Sequence, residues 1–570
     1  PHWHGGFDLW ITNGCRVEGG TLVEILQVKD LFFKYALAKR DNLKNINLNV
    51  NQGDFMLIIG DSGSGKTTLL KQLKKELWPV GERRGAVKFK HQSLSTLSPI
   101  ESARRIGMVF QNPDDQIVMD TVIQELAFSL ENVGEDSENI QRKIAEMVSF
   151  FGFQDILYAS VNELSGGQKQ LVNLAAVLIL QPELLLLDEP TAQLDPIATK
   201  EFISLLQRVH DELGVTIMIS EHQLDELLPL ANRLCIMEEG KLTFTGNVEE
   251  GVQHAVQDQK MAEFIPEVPR LFLAENLIAT SSKDTVPLTV VAGKRFIDYH
   301  GIKFQQRKRI IPSPSGDPAL KIEHVDFKYG RNSPLILNDL GLTVQRGEWL
   351  SIVGRNGTGK STLLKCLMGM EKARRGKITV FNRKLAKWES GQLYRMVGYL
   401  SQNPADHFSY DTVLEELVNR AKQLGSAEPQ EIAESMLTRL KINSLKNKNP
   451  HDTSGGEQQL IALGIILIAH PQILLLDEPT KGLDPLRKRS LGKLLQKLQK
   501  AGMTIITTSH DMSFSATYAT RCAMLFGGKI TSTADPYSFF AKNFFYTTPI
   551  NRMVRDQLPT ALVWRELSHE

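Results

Sequence analysis

Gly60-Asp61-Ser62-Gly63-Ser64-Gly65-Lys66-Thr67 and Gly354-Arg355-Asn356-Gly357-Thr358-Gly359-Lys360-Ser361 are the two stretches that decide the fold. Both satisfy G-x-x-x-x-G-K-[ST], the pattern of a phosphate-binding loop. Each follows a short apolar run, Phe55-Met56-Leu57-Ile58-Ile59 or Trp349-Leu350-Ser351-Ile352-Val353. Each precedes a helix-forming stretch that opens at Thr68 or Thr362. Strand, glycine loop and helix in that order is the setting the pattern requires. Glycine lets the backbone approach a phosphate closely. The freed N–H groups and the helix N-terminus favour a polyanion. Lys66 and Lys360 are expected to reach the β- and γ-phosphates, and the Thr67 and Ser361 hydroxyls to hold Mg²⁺. One such loop could be a chance glycine turn; two in the same setting argue against it.

The chain has 570 residues, too many for a single core, so several domains are expected. Lys and Arg total 66 against 65 Asp and Glu, a net charge of +1, which argues for neither a nucleic acid nor an acidic partner. Cys15, Cys235, Cys366 and Cys522 lack metal-ligand spacing and read as reduced thiols. Leu171 to Leu187 and Leu460 to Leu476 are apolar, but Gln181-Pro182-Glu183 and His470-Pro471-Gln472 interrupt them. A membrane span needs about 20 uninterrupted apolar residues. A buried helix, a turn and a buried parallel strand are expected instead. No basic-then-apolar signal is read at residues 1–22, which are expected to be a leader or a disordered end.

The two loops belong to a longer internal repeat. Tyr35 corresponds to Tyr329, and Gln111-Asn112-Pro113 to Gln402-Asn403-Pro404. Leu164-Ser165-Gly166-Gly167-Gln168 corresponds to Thr453-Ser454-Gly455-Gly456-Glu457. Leu184 to Thr191 corresponds to Ile473 to Thr480, and His222 to His510. Constant order and near-constant offset mark a duplicated unit of about 220 residues, a usual domain size.

Glycine loop, glutamine, an LSGGQ-type signature, an apolar strand ending in Asp-Glu and a later histidine, in that order, resemble the ATP-binding-cassette (ABC) ATPase domain. The resemblance runs from Val23 over nearly the whole chain. It implies an α/β fold of two tandem P-loop NTPase domains, each a mainly parallel sheet flanked by helices with a helical signature subdomain. It places a first ATPase domain at residues 23–246 and its extension plus linker at 247–318. It places a second domain at 319–540 and a C-terminal extension at 541–570.

The resemblance also implies roles. Tyr35 and Tyr329 match the aromatic that stacks on adenine, although either could be an ordinary strand tyrosine. Asp188 and Asp477 match the Mg²⁺-associated carboxylate; a buried carboxylate at a strand end is itself suited to a cation. Glu189 and Glu478 match the glutamate that orients or deprotonates the attacking water. Gln111 and Gln402 match the sensor of Mg²⁺ and water, and His222 and His510 the contact to the γ-phosphate. Asp195 and Asp484 match a loop that crosses to the partner domain. ATP and Mg²⁺ are the implied cofactors.

In this family two domains sandwich two ATPs. One site is then expected to join Lys66, Asp188 and Glu189 to Ser454, Gly455 and Gly456. The other joins Lys360, Asp477 and Glu478 to Ser165, Gly166 and Gly167. Linking both halves in one chain raises their effective concentration. Thr453 and Glu457 depart from the signature, and a carboxylate near a triphosphate is mildly unfavourable. Both glutamates and both histidines are retained, so both sites are expected to hydrolyse, with the Lys66 site the one this departure puts in doubt.

Gln111 to Leu126 and Gln402 to Leu417 resemble the cobalt and energy-coupling-factor importer branch. There this segment lines a groove for a coupling helix; an ordinary amphipathic surface helix is the alternative. The resemblance implies an importer ATPase, peripheral on the cytoplasmic face of the cell membrane. Its implied partners are a transmembrane coupling subunit and a membrane substrate-binding subunit, for a vitamin, a vitamin precursor or a transition metal. A soluble tandem ATPase acting on ribosomes is the alternative. It needs a long, charged helical connector, and residues 247–311 have several prolines and weak helical periodicity. Phe264 to Leu271 resembles Phe545 to Met553, and Pro287 to Val291 resembles Pro559 to Val563, so each core is expected to carry a similar extension that packs the halves together. Ile311 to Pro318 reads as the flexible joint. Lys303, Arg307, Lys308 and Arg309 before it read as a solvated face, or less readily as a phospholipid contact.

Overall fold

The computed structural model describes residues 23–36, 38–278, 284–312 and 316–569. The reading of residues 1–22, Cys15 included, and the centre of the Ile311–Pro318 joint lie outside the described residues.

In the first half the apolar runs become a six-stranded sheet. Its order is Lys241–Asn247, Arg233–Glu238, Phe55–Gly60, Thr216–Ser220, Leu184–Asp188 and Ile106–Val109. The five strands from Arg233–Glu238 inward pair in parallel; Lys241–Asn247 closes the edge antiparallel. Leu184–Asp188 and Thr216–Ser220 are buried at every residue, as two-sided cover by helices demands. The second half repeats the order with Lys529–Ala534, Arg521–Phe526, Trp349–Val353, Thr504–Ser509, Ile473–Asp477 and Val397–Leu400. An antiparallel sheet built on Glu24–Tyr35 or Pro318–Phe327 packs against each. The fold is therefore α/β in both halves.

The two apolar stretches resolve as helix, turn and strand. Helix Gly166–Leu178 is followed by Gln181, at φ +57°, and then by Leu184–Asp188. Helix Gly455–Leu467 is followed by His470, at φ +48°, and then by Ile473–Asp477. Among the described residues no helix is long and apolar enough to cross a membrane. Cys235, Cys366 and Cys522 are buried and free.

The segments after each core pack on one another. Val268, Leu271, Phe272 and Ile297 share a core with Ile550, Met553, Val554 and Leu567. Phe304–Gln306 pairs with Leu567–His569 in a two-stranded sheet. Each fully buried Leu or Phe there is worth about 1.5–3 kcal/mol. The segments are less alike than expected. Helix Glu267–Ala274 has a counterpart in Pro549–Val554, but Pro287 leads into helix Val290–His300 whereas Pro559 leads into a short turn, Trp564–Glu566. The Thr289 hydroxyl caps the former by accepting from the Ala292 N–H at 3.1 Å. Ala561 stands at the corresponding place and has no side-chain acceptor.

The basic cluster is not uniformly solvated. Arg309 is half-buried: its N–H donates to the Tyr537 hydroxyl and its Nη2 to the Ala519 carbonyl, both at 2.8 Å. Lys303, Arg307 and Lys308 are exposed.

Candidate nucleotide site

Each glycine loop bends where a side chain could not follow. A Cβ at Gly60 would lie 2.2 Å from the Met237 carbonyl oxygen, and one at Gly354 would lie 2.6 Å from that of Leu525. Gly65 and Gly359 cap their helices in the left-handed region, at φ +107° and +98°. Inside each loop the lysine is held by backbone oxygens. Lys66 Nζ donates to Gly60 O at 2.8 Å and Asp61 O at 3.2 Å. Lys360 Nζ donates to Gly354 O at 2.9 Å and Arg355 O at 3.1 Å. Burial lowers the Lys66 pKa, and Glu189 and Asp188 oppose that shift.

The strand ends bring the acids to these loops. Thr67 Oγ1 and Ser220 Oγ both donate to Asp188 Oδ1, at 3.0 and 2.9 Å. Thr508 Oγ1 donates to Asp477 Oδ1 at 2.6 Å, and the Ser361 hydroxyl bonds the same carboxylate. Burial raises the pKa of both aspartates, and the adjacent glutamate adds to it. A hydroxyl and a carboxylate converging at a buried point form a hard oxygen donor set. Mg²⁺ bound with phosphates and waters needs only one or two such protein ligands, so the residues fit it.

Glu189 and Glu478 follow the aspartates at φ +43° and +50°, left-handed backbone in a non-glycine residue. Strain of this kind costs on the order of 1–3 kcal/mol and concentrates at functional sites. It turns each carboxylate back toward its lysine and histidine. Glu189 Oε1 lies 2.8 Å from His222 Nε2 and 3.7 Å from Lys66 Nζ. Glu478 Oε2 lies 2.7 Å from His510 Nδ1, and its Oε1 3.4 Å from Lys360 Nζ. Burial pushes both glutamate pKa values up, but the histidine and lysine outweigh it and hold both below the ordinary range. Gln111 Nε2 donates to Glu189 Oε2 at 3.0 Å. Gln402 departs from the expected symmetry: it is exposed and makes no such bond to Glu478. Tyr35 and Tyr329 stand beside the loop helices, their hydroxyls 3.1 and 3.2 Å from Thr68 Oγ1 and Thr362 Oγ1.

The two halves meet at these sites. Ser62 Oγ donates to Asp484 Oδ2 at 2.7 Å, joining the first glycine loop to the second half. A cavity of about 1010 Å³ lies between the halves, with Ser165, Gln168 and Asp195 of the first half and Gly354, Arg355 and Asn356 of the second in its lining. Both signature helices are capped. The Ser165 N–H donates to Gln168 Oε1 at 2.9 Å, and the Ser454 N–H to Glu457 Oε2 at 3.0 Å. The Glu457 carboxylate, mildly unfavourable beside a triphosphate, is not left unpaired. Its other oxygen accepts from Arg487 Nη2 at 3.3 Å.

The sequence reading does not include the Ser220 and Thr508 hydroxyls, Arg487 or Glu221. Glu221 accepts from the Thr191 hydroxyl at 2.6 Å, the Thr191 N–H at 2.8 Å and the His222 N–H at 2.9 Å. Burial raises its pKa. Its position next to His222 was the one available signal.

The family model described as "ABC transporter" matches residues 43–192 and 337–481, once in each half. A Bacillus cereus protein named "Putative ABC transporter ATP-binding protein" is 49% identical over 547 residues, covering 96% of this chain and 98% of its own. A Bacillus subtilis protein named "Putative HMP/thiamine import ATP-binding protein YkoD" is 30% identical over 553 residues, covering 96% and 97%. A solved structure of cbiO1 from Clostridium perfringens, described as part of the ABC transporter complex cbiONQ, is 31% identical. It covers 42% of this chain and 93% of that one, with a TM-score of 0.37.

Proposed function

Because the chain belongs to the ABC transporter family, as an ATPase that uses ATP and Mg²⁺ and carries the ATP-binding unit twice, we propose that it energises an importer of the energy-coupling-factor type. Its partners are a transmembrane coupling subunit and a membrane substrate-binding subunit, and it acts at the cytoplasmic membrane face. The Bacillus subtilis relative is named for HMP/thiamine import. A vitamin or vitamin precursor is accordingly the proposed cargo class.

The observation that carries this reading is the segment after each site glutamine. The buried Glu125 carboxylate accepts the N–H groups of Val118 and Met119 at 2.9 and 2.8 Å, and Glu416 accepts those of Ser409 and Tyr410. Each loop is thereby pinned from beneath while Val118 and Tyr410 stay exposed. In the second half Tyr410 borders a groove of about 370 Å³ with Met368, Met370, Tyr394 and Ile465 in its walls. A groove that joins adaptable methionines and aromatics to Asp406, His407 and Arg420 suits an amphipathic helix.

In the proposed mechanism the glycine-loop N–H groups and lysines hold the phosphates, and Thr67, Asp188, Ser361 and Asp477 hold Mg²⁺, which when bound neutralises phosphate charge. Glu189 and Glu478, kept ionised by their lysine and histidine neighbours, accept a proton from the attacking water. His222 and His510 hold those carboxylates in place and face the γ-phosphate. Gln111 supports Glu189. Ser165 to Gln168 and Ser454 to Glu457 close over the phosphate bound by the opposite half, and that closure moves the two segments that follow the site glutamines.

Cysteines placed at Val118 and Tyr410 test the assignment by cross-linking in native membranes. Cross-links to a polytopic membrane protein are expected from both positions. Cross-links to ribosomal proteins alone would refute it.

A further inference from the structure

Arg487 marks a place where the two halves differ in chemistry at corresponding positions. Its counterpart is Ala198, just as the counterpart of Glu457 is Gln168. Both differences fall on one contact. In the first half Ala198 Cβ packs toward Gly167, and neutral Gln168 caps its own helix. In the second half Glu457 takes the capping role with one oxygen and ion-pairs with Arg487 through the other.

Arg487 is also joined to two further groups of this site. Nη1 donates to Ser454 Oγ at 2.9 Å, and Nε lies 3.4 Å from Asp484 Oδ2. That same Asp484 oxygen accepts from Ser62 Oγ of the opposite loop. Arg487 and Glu457 side chains are 22% and 23% exposed, so solvent screens the pair only in part. A guanidinium suits this place because its fixed fork can serve several oxygens at once.

We propose that Arg487 is a positioning residue for the ATP site formed by Lys66 and the second signature. It neutralises Glu457, orients the Ser454 hydroxyl, and so makes a signature carrying an extra carboxylate compatible with a triphosphate. The Lys360 site, served by Gln168 and Ala198, needs no such residue. The inference rests on the proposed membership of the two sites.

The test is a double-mutant cycle on the full chain, in a Glu478→Gln background so that turnover reports the Lys66 site. Arg487→Ala is expected to lower kcat/KM for ATP about tenfold, mainly through KM, because the unpaired Glu457 repels the nucleotide. Adding Glu457→Gln is expected to restore it to within about threefold, and Arg487→Lys to fall between. Thermal melts of each variant separate this from a folding defect. A double variant as impaired as Arg487→Ala alone would make Arg487 a packing residue and overturn the proposal, as would a change under twofold in Arg487→Ala. If Glu478→Gln alone abolished all turnover, independent hydrolysis at the two sites would fail instead. The cycle would then be read, by the same criteria, from Mg-ATP affinity.

Discussion

Ser62 and Asp484 lie 422 residues apart in sequence and share a 2.7 Å hydrogen bond, serine hydroxyl to carboxylate. Asp484 is fully buried and caps helix Pro485–Lys500 through the Arg487 N–H at 2.8 Å. The first glycine loop is thus tied to the half that does not contain it. The Ser62→Ala variant leaves that carboxylate short of a donor, which costs about 1–3 kcal/mol. A calorimetric melt of the full chain checks this; a loss below about 0.5 kcal/mol would mean the contact contributes nothing in solution.

In the proposed mechanism Glu189 and Glu478 are the bases. Changing both to glutamine preserves shape and removes the proton acceptor. Hydrolysis is expected to fall by about 10²–10⁴-fold, while ATP binding is retained. Steady-state turnover alongside equilibrium nucleotide binding checks it. Their lowered pKa values also fix a sign. The stability they contribute is fully present above the ordinary glutamate pKa and is lost as pH falls through the lowered values in the folded chain.

Glu263 gathers three arginines. Arg270 Nη1 donates to it at 3.0 Å, Arg489 Nη1 at 2.5 Å and Arg565 Nη2 at 2.6 Å. The arginines come from the first extension, the second core and the chain end, so one carboxylate ties the halves together. Arg270 is the buried member, while Arg489 and Arg565 are partly exposed; Glu263→Ala leaves Arg270 short of its partner and is expected to cost about 1–3 kcal/mol. Calorimetry is expected to show one cooperative transition splitting into two.

Glu267 titrates the other way. Burial pushes its carboxyl up to about 8; Arg270 opposes the shift and Asp225 adds to it. A raised acid pKa means the folded chain binds more protons, so this contribution is complete below the ordinary glutamate pKa and is lost as pH rises through about 8. Denaturant unfolding between these limits is expected to show stability falling with pH, by less than about 1.4 kcal/mol per unit. The Glu267→Gln variant is expected to flatten that slope.

What was legible in the sequence was local. A glycine loop between an apolar run and a helix, a four-apolar strand ending in Asp-Glu and a serine-capped helix each announce themselves within a dozen residues. The α/β fold of both halves followed. Contacts between distant segments were not legible. Arg487 reaches Glu457 across 30 residues, and neither residue type alone implies the other. Gln402 carried the motif of Gln111 but not its contact. Pro287 to Val291 and Pro559 to Val563 looked alike because their proline and apolar residues matched, while Thr289 caps a helix and Ala561 has no side-chain acceptor to do so.

The most direct test of the account is co-purification of the tagged full chain in mild detergent from membranes and, separately, from ribosome fractions, with partners identified by mass spectrometry. The account predicts a polytopic coupling subunit and a small membrane substrate-binding protein, both from the membrane fraction. Recovery with ribosomal subunits, and with no membrane protein, would contradict the importer assignment while leaving the ATPase chemistry in place.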